Sequence, residues 1–146
     1  TDTSVVLDGV QDAGNVGSIL RSAAAAGVRH VFCAPGTAYA WSSKVLRSGM
    51  GAHFLLSIHE DVEPDALAER LDVPVALTDS HGAQAVYDCD LSGPVAWVFG
   101  NEGAGVSASM VTMSASENGP TASRRSSTTW PAVPSRRPMS RAIART

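Results

Sequence analysis

The stretch that decides the fold is residues 4–27, SVVLDGVQDAGNVGSILRSAAAAG. It opens on a run that predicts a short buried strand over 4–7. Apolar residues then recur at the i, i+3, i+4 spacing of a helix over 16–26, and Gly27 stands where such a helix would end. The apolar helical positions are Val16, Ile19, Leu20, Ala23 and Ala24. A strand, a glycine-bearing turn and a helix therefore follow one another directly.

The same alternation continues to about Ser107. Further strands are predicted over 30–34, 54–58, 74–77 and 95–99, and helices over 41–47 and 64–71. Five strands that alternate with helices and short loops predict an α/β fold, a mostly parallel sheet with helices on both faces. No element is predicted beyond Ser107, because Ser, Thr, Arg, Pro and Ala dominate the chain from Ser114 onwards.

The charge of the chain is divided unevenly along its 146 residues, a length that suits one domain. Up to Met113 there are 5 basic and 13 acidic residues, whereas from Ser114 onwards there are 6 arginines and one acid, Glu117. An acidic body is a poor general surface for nucleic acid. Any nucleic-acid binding must therefore be local or must come from a part that is absent here, and the basic tail is a candidate binding arm.

Composition also limits the class of protein. No apolar run approaches the ~20 residues of a membrane span, and the first residues lack the pattern of a secretory signal. The two cysteines, Cys33 and Cys89, suit reduced thiols, so we expect a cytoplasmic protein without a membrane partner. The four histidines lack metal-ligand spacing, and we therefore predict no metal site.

The turn after the first strand carries the first candidate site. Gly14 and Gly17 allow close approach of a ligand to the backbone, Asn15 can cap the helix or bond a ribose or phosphate oxygen, and Arg21 is long enough to reach back over the strand ends. An ordinary βα turn with a capping Asn and a surface Arg explains the same spacing. The dinucleotide-binding pattern G-x-G-x-x-G is missing, which disfavours a nucleotide-dependent oxidoreductase.

A second candidate site follows the last predicted strand, in residues 99–105, FGNEGAG. Three glycines in this short loop expose backbone N–H groups to a ligand's polar atoms, and Glu102 places a carboxylate among them. A plain turn remains the alternative. In an open α/β sheet both loops would lie at the strand ends where ligands bind.

Together these segments resemble the SpoU/TrmH family of the SPOUT superfamily. The resemblance rests on residues 15–23, NVGSILRSA, on 42–52, SSKVLRSGMGA, and on 100–105, GNEGAG. It implies an RNA ribose 2′-O-methyltransferase that uses S-adenosylmethionine, acts on tRNA or rRNA, and forms a homodimer through a deep trefoil knot. The resemblance covers a methyltransferase domain over 1–107, which leaves 108–146 as an atypical segment.

The resemblance also implies roles for individual residues. Arg21 would hold the ribose 2′-hydroxyl, Asn15 would bond nearby and Glu102 would organise the site. The adenosine of the cofactor would lie against the exit of the strand over 74–77 and the glycine loop. The residues assigned to the cofactor are Leu77, Thr78, Asp79, Gly100, Asn101 and Gly103.

The chain departs from the family at its third motif, which supplies the knot, half of the cofactor pocket and much of the dimer interface. The asparagine of that motif would correspond to Trp130, where the sequence reads TTWP over 128–131. A reading-frame slip after about 107–113 explains this Pro- and Arg-rich tail; a divergent basic tail is the alternative. We therefore expect the tail from Ser114 onwards to be irregular, the knot poorly packed and the homodimer weakened. An inactive family member that at most binds RNA is the second functional hypothesis.

Overall fold

The computed structural model describes residues 2–78 and 91–115 with their side chains, and 142–144 as backbone only. The described part contains six strands and four α-helices, with a short 3₁₀ turn at Ala52–Phe54. The strands are β1 Ser4–Asp8, β2 His30–Cys33, β3 Ser57–His59, β4 Val75–Thr78, β5 Ala96–Gly100 and β6 Ala142–Ala144. The helices are α1 Ala13–Ala25, α2 Ser43–Gly49, α3 Pro64–Arg70 and α4 Ala108–Ala115.

The strands form one sheet in the order β3-β2-β1-β5-β4-β6, and every described pairing is parallel. The predicted α/β fold with a parallel sheet is therefore confirmed. From β1 the chain moves outwards through β2 to β3, whereas β4 and β5 lie on the other side of β1. The strand order thus reverses between β1 and β5, and ligands bind at the carboxyl ends of the strands at such a point.

Each face of the sheet is covered by a pair of helices. On one face, Val5 and Leu7 of β1 pack with Val16 and Leu20 of α1 and with Val45 of α2. The opposite face packs against α3 and α4. Its main side chains are Val6, Phe32, Leu67, Leu77, Val98, Met110 and Met113. The alternation of Val5, Val6 and Leu7 between the two faces follows from the two-residue period of a strand.

Helix α1 begins directly after Asp12, whose carboxylate caps its first turn. Asp12 adopts an extended conformation and its side chain accepts the backbone N–H of Asn15 at 2.9 Å. The helix therefore starts at Ala13, before the predicted 16–26, and the capping role that we assigned as one option to Asn15 belongs to Asp12. Gly27 follows the helix with a φ of +78°, in agreement with the predicted stop.

The strand predicted over 54–58 is largely wrong. Phe54 ends the 3₁₀ turn, Leu55 donates its backbone N–H to the carbonyl of Ala52 over 2.9 Å, and β3 starts only at Ser57. The apolar run at 54–56 resembles a buried strand in sequence. In the structure, however, the Phe54 side chain is 93% exposed.

A helix and a strand lie beyond Ser107, where we predicted no secondary structure. Helix α4 begins after Ser107, whose hydroxyl accepts the N–H of Met110 at 3.3 Å, and it buries Met110 and Met113 against the sheet. The strand β6 pairs in parallel with β4 at the edge of the sheet. The expectation of an irregular tail is therefore wrong for Ser114, which lies in α4, and for β6. The rest of the tail and the path of any knot lie outside the described residues.

No helix in the described part of the chain is long and apolar enough to cross a membrane.

Candidate active site

The two glycine-bearing loops meet at the carboxyl edge of the sheet. Strands β1 and β5 are neighbours with Asp8 opposite Gly100, so the loops that follow them leave the sheet side by side. The side-chain amide of Asn101 donates to the carbonyl oxygen of Gly9 over 2.9 Å. The second loop is thereby tied directly to the first at the point where the strand order reverses.

Glu102 closes the contact between the loops. Its carboxylate accepts the backbone N–H of Gln11 at 3.1 Å and that of Asp12 at 3.0 Å. Oε1 also accepts the side-chain amide of Asn15 at 3.2 Å. The glycine loop therefore positions the start of α1 through one carboxylate, which the sequence placed in the site without naming its partners.

The same donors explain the acidity of Glu102. Hydrogen bonds from its own backbone N–H, from Asp12 and Gln11, and from the amide of Asn15 stabilise the carboxylate form and lower the pKa of Glu102 to about 2. Glu102 is thus ionised at neutral pH. It serves as an acceptor of hydrogen bonds and cannot act as a general acid or base there.

The glycine loop is held in shape by Asn101. Its Oδ1 accepts the N–H groups of Gly103 and Ala104, each at 2.9 Å, and its backbone forms a reciprocal pair of 2.9 Å hydrogen bonds with Gly105. The loop folds back so closely that a Cβ on Gly100 would collide with the backbone of Gly105 and Val106. Only glycine fits at position 100, and the polar atoms of the Asn101 side chain are used within the protein.

Asp8 and Ser107 form a second link that the sequence analysis missed. Asp8 ends β1 and is 6% exposed, and its carboxylate accepts the N–H of Ser107 at 2.6 Å and the hydroxyl of Ser107 at 3.1 Å. A carboxylate at the end of a buried strand is the signal that could have identified it, because a buried charge needs hydrogen-bond partners. This link fixes the start of α4 to the exit of β1.

The loop that follows β2 is hydrogen-bonded to the end of β1 and to the first glycine-bearing loop. The hydroxyl of Thr37 donates to the carbonyl of Leu7 over 2.9 Å and accepts the N–H of Gly9 at 3.1 Å. The backbone N–H of Ala38 also donates to the carbonyl of Val10 over 2.8 Å. Sequence reasoning did not single out Thr37, whose role depends on the neighbouring positions of β1 and β2.

The structure brings Asn15 and Glu102 together, but it does not bring Arg21 into contact with them. Arg21 is exposed on α1, and its guanidinium makes no hydrogen bond or ion pair within residues 2–78 and 91–115. The Asn15 side chain is also exposed, and its Oδ1 has no hydrogen-bond partner in the same ranges. Both groups are therefore available to a ligand.

The described residues that were assigned to the cofactor lie at the end of β4, at the end of β5 and in the glycine loop that follows β5. Thr78 follows Leu77, which is paired with Val98, so the end of β4 lies beside the end of β5 and its glycine loop. The Leu77 side chain is buried in the core, and the Thr78 hydroxyl donates to the carbonyl of Val98 over 2.8 Å. Asp79 lies outside the described residues.

A large cavity of about 1020 Å³ runs along α1 and the neighbouring face of β5. Ser18, Ile19, Trp97 and Phe99 contribute to its wall, and Thr78 lies at the carboxyl end of the sheet. Asn15 and Glu102 do not line it. The cavity therefore extends from the amino ends of β1 and β5, at Thr3 and Pro94, to Thr78, and it does not include the loop contact.

Metal and thiol chemistry have little support in the described part of the chain. No group of three or more His, Cys, Asp or Glu side chains there could hold a metal ion. Cys33 is a free cysteine buried in the core. Burial, with the nearby charges of Glu60 and Asp61, raises the pKa of Cys33 to about 12, so its thiol is inert at neutral pH.

Comparison with known proteins gives a consistent set of matches. Residues 2–117 match the model of the SpoU rRNA Methylase family. The chain is 36% identical over 109 residues to the 23S rRNA (guanosine(2553)-2'-O)-methyltransferase RlmP of Bacillus subtilis. This match covers 73% of this chain and 44% of the relative. It is 42% identical over 96 residues to the mitochondrial rRNA methyltransferase 3 of Mus musculus, covering 64% of this chain and 23% of the relative.

A solved structure shows the same arrangement. The SpoU methyltransferase AviRb of Streptomyces viridochromogenes, in complex with AdoMet, superposes with a TM-score of 0.72 at 30% identity. The superposition covers 76% of this chain and 47% of that one. The chain thus spans less than half the length of each of these proteins.

Proposed function

This chain belongs to the SpoU rRNA methylase family, and on that premise we propose that it transfers the methyl group of S-adenosylmethionine to a ribose 2′-hydroxyl of rRNA or tRNA. The observation that carries the proposal is the contact of Glu102 with Gln11, Asp12 and Asn15, which joins the two family motifs at the carboxyl edge of the sheet. The names of the rRNA-modifying relatives favour rRNA over tRNA as the substrate.

Asn15 would bind the hydroxyl that receives the methyl group. The carboxylate of Glu102 can only accept hydrogen bonds, so it must face the NH₂ group of the Asn15 amide. The Oδ1 atom of Asn15 is then directed away from Glu102 and remains able to accept a hydrogen bond from the ribose hydroxyl, whose proton is released to water when the oxygen is methylated. Glu102 acts here as a positioning residue, through Asn15 and the backbone of the first loop.

Arg21 would stabilise negative charge on the attacking oxygen. Its guanidinium stays protonated in proteins, so it cannot serve as the base that removes the hydroxyl proton. A cation beside the 2′-oxygen orients the hydroxyl and favours the charge that develops as it reacts. Arg21 makes no bond within the described residues that would compete with this role.

The described residues form one wall of a site that suits S-adenosylmethionine. When bound, this cofactor supplies an electrophilic methyl group on a sulfonium sulfur that is a good leaving group. Thr78 and Gly100 end the adjacent strands β4 and β5, and Asn101 holds the glycine loop that contains Gly103 in its folded-back shape. We assign the adenosine to this wall, with Leu77 contributing only its backbone; Asp79, which lies outside the described residues, stays part of the assignment.

We place this activity in the domain over 1–107 and expect a homodimer that the atypical segment over 108–146 weakens. A cytoplasmic location remains part of the proposal, and fractionation of cells that express the chain tests it. Sedimentation velocity tests the assembly: a monomer–dimer equilibrium at micromolar concentration is expected, and a stable dimer at nanomolar concentration contradicts the weakened interface.

The inactive alternative is distinguished by calorimetry with S-adenosylhomocysteine. We expect micromolar binding to the chain as it stands, and transfer of tritium from labelled S-adenosylmethionine to rRNA. Absence of both would favour an inactive family member, which the sequence over 128–131 also suggests. Binding without transfer to rRNA or tRNA would contradict the proposed substrate while retaining the cofactor.

A further inference from the structure

The segment from Tyr39 to Leu55 carries a concentration of exposed large apolar side chains. Phe54 is 93% exposed, Met50 74% and Tyr39 62%. Six exposed large apolar side chains belong to this segment, and we call them together the 39–55 surface. They are Tyr39, Trp41, Leu46, Met50, Phe54 and Leu55. The only other exposed large apolar side chain of the described residues is Leu91. Clustered exposure of this kind marks an interaction surface.

A buried histidine holds the two halves of this surface together. Nε2 of His53 lies 2.7 Å from the carbonyl oxygen of Ala40, and the rings of His53 and Trp41 are 5.0 Å apart. Tyr39 and Trp41 flank Ala40, while Phe54 follows His53. The hydrogen bond therefore sets the aromatic residues of the loop beside those of the 3₁₀ turn.

The charge of this part of the chain differs from that of the rest. No Asp or Glu occurs between Asp12 and Glu60, although the body as a whole is acidic. The same stretch contains four cations, Arg21, Arg29, Lys44 and Arg47. Lys44 and Arg47 are exposed on α2, within the 39–55 segment itself. Residues 39–55 themselves thus combine exposed aromatic groups with cations, and the carboxylate of Glu60, which contacts the segment, is bound to the backbone N–H of Ala40 at 2.9 Å.

The surface is also continuous with the candidate active site. The hydroxyl of Ser48 on α2 lies 3.1 Å from the carbonyl oxygen of Ala13, at the start of α1. A Cβ on Gly17 would collide with Ser48 and lie 2.8 Å from the backbone nitrogen of Gly49, so α1 and α2 are in close contact. A chain bound near Asn15 could therefore extend across α2.

From these observations we propose that the 39–55 surface binds unpaired nucleotides of the substrate RNA, with bases stacked on Tyr39 and Phe54 and phosphates held by Lys44 and Arg47. The inference rests on the proposed function for the identity of the substrate. Bases stack on exposed aromatic rings whatever their sequence, and cations of the same segment can neutralise the phosphate backbone. A symmetric contact with a second copy is disfavoured, because it would bring Lys44 and Arg47 against a copy of the same segment, and residues 39–55 include no Asp or Glu.

Fluorescence anisotropy with a 5′-fluorescein-labelled twelve-nucleotide oligouridylate tests the stacking. The full chain should bind this probe at low salt without S-adenosylmethionine. The variants Phe54→Ser and Tyr39→Ser should each weaken binding about 5- to 150-fold, the range produced by loss of one base–aromatic stack. Leu91→Ser is the matched control and should bind as the parent does. A twelve-base-pair RNA duplex, whose bases are already stacked, should bind equally to all four proteins.

The phosphate contacts have a separate readout in the dependence of binding on salt. Lys44→Gln and Arg47→Gln should each reduce the slope of log K against log salt concentration by about 0.7 for the single-stranded probe. Arg70→Gln, which changes an exposed cation outside the acid-free stretch, is the control and should leave the slope unchanged.

Three results would overturn the inference. The first is failure of the parent chain to bind oligouridylate, and the second is unchanged binding by Phe54→Ser and Tyr39→Ser. The third is a lower sedimentation coefficient of these variants than of the parent, while they bind RNA normally. That result would make the surface a contact between copies of the chain. Because binding is measured without the methyl donor, failure of methyl transfer alone leaves this result intact and counts only against the proposed function.

Discussion

The side-chain amide of Asn15 donates to Oε1 of Glu102 over 3.2 Å, across 87 positions of the sequence. This hydrogen bond joins the residue that begins the first family motif to the centre of the second. Because Glu102 also accepts two backbone N–H groups of the first loop, one carboxylate determines both the shape of that loop and the orientation of the Asn15 amide. The proposed chemistry depends on this relationship.

We predict that Glu102→Gln lowers kcat/KM for methyl transfer about 100-fold, because the amide cannot accept the same set of donors and Asn15 loses its fixed orientation. Asn15→Ala should have a similar effect, and the double variant should be little worse than either single variant. Steady-state kinetics of the four proteins measures this coupling. Glu69→Gln, an exposed carboxylate on α3, is the control. Additive losses would show that the two residues act independently.

The stability contributed by Glu102 should depend on pH in the acid range. Its pKa is about 2 in the folded chain and near 4.5 when unfolded, so the folded state favours the carboxylate form. The contribution is therefore fully present above pH 4.5 and is lost as the pH falls towards 2. The difference in Tm between the parent and Glu102→Gln should be constant from pH 7 to 5 and shrink below pH 4.5. A difference that grows on acidification contradicts the hydrogen-bond pattern.

Arg21→Ala should remove most methyl transfer without affecting the fold. The side chain is exposed and makes no bond within the described residues, so the circular dichroism spectrum and Tm should match those of the parent. Loss of one group that stabilises developing charge corresponds to about 100- to 1000-fold in kcat. Arg29→Ala, another exposed arginine, provides the control. Near-full activity of Arg21→Ala would remove Arg21 from the proposed mechanism.

Gly17→Ala should destabilise the chain through the contact between α1 and α2. The added Cβ would collide with Ser48 and press on the backbone of Gly49, which cannot move aside as a flexible side chain does. We expect a loss of about 1–3 kcal/mol in the free energy of unfolding, measured by urea denaturation. Ser22→Ala, at an exposed position of the same helix, should be nearly neutral. Equal stability of the two variants would mean that α2 is displaced from α1.

Cys33 should react very slowly with iodoacetamide in the folded chain. Its pKa of about 12 leaves little thiolate at pH 8, and burial also restricts access. In a Cys89→Ser background, where Cys33 is the only thiol, alkylation at pH 8 should be at least about 100-fold slower than in the urea-unfolded chain. Rapid alkylation in the native state would show that the core around β2 opens readily.

Most of the sheet could be predicted from the sequence, because the apolar runs of β1, β2, β4 and β5 and the periodicity of α1 are local signals. The placement of both glycine loops at the ligand-binding edge also followed, since the carboxyl ends of parallel strands share one edge. The contacts of Glu102 with Gln11 and Asp12 could not be predicted in the same way. They depend on β1 and β5 being neighbours, which the strand pattern alone does not determine.

The elements that were missed have weak local signals. Helix α4 consists mainly of Ser, Ala, Thr and Met, and only Met110 and Met113 bury large side chains. Its stability therefore comes from tertiary packing rather than helix propensity. The strand β6 is three residues long and is defined by backbone pairing with β4 at the sheet edge. No alternation of side chains could indicate so short an element.

The fate of the transferred methyl group tests the central claim most directly. The chain is incubated with rRNA and S-adenosylmethionine carrying a tritiated methyl group, and the RNA is then hydrolysed with alkali. Alkaline cleavage requires a free 2′-hydroxyl, so a 2′-O-methylated nucleotide stays joined to its 3′ neighbour. The account predicts tritium in alkali-resistant dinucleotides and about 100- to 1000-fold less of it when Arg21 is replaced by Ala. Tritium in mononucleotides would show methylation of a base and contradict the account.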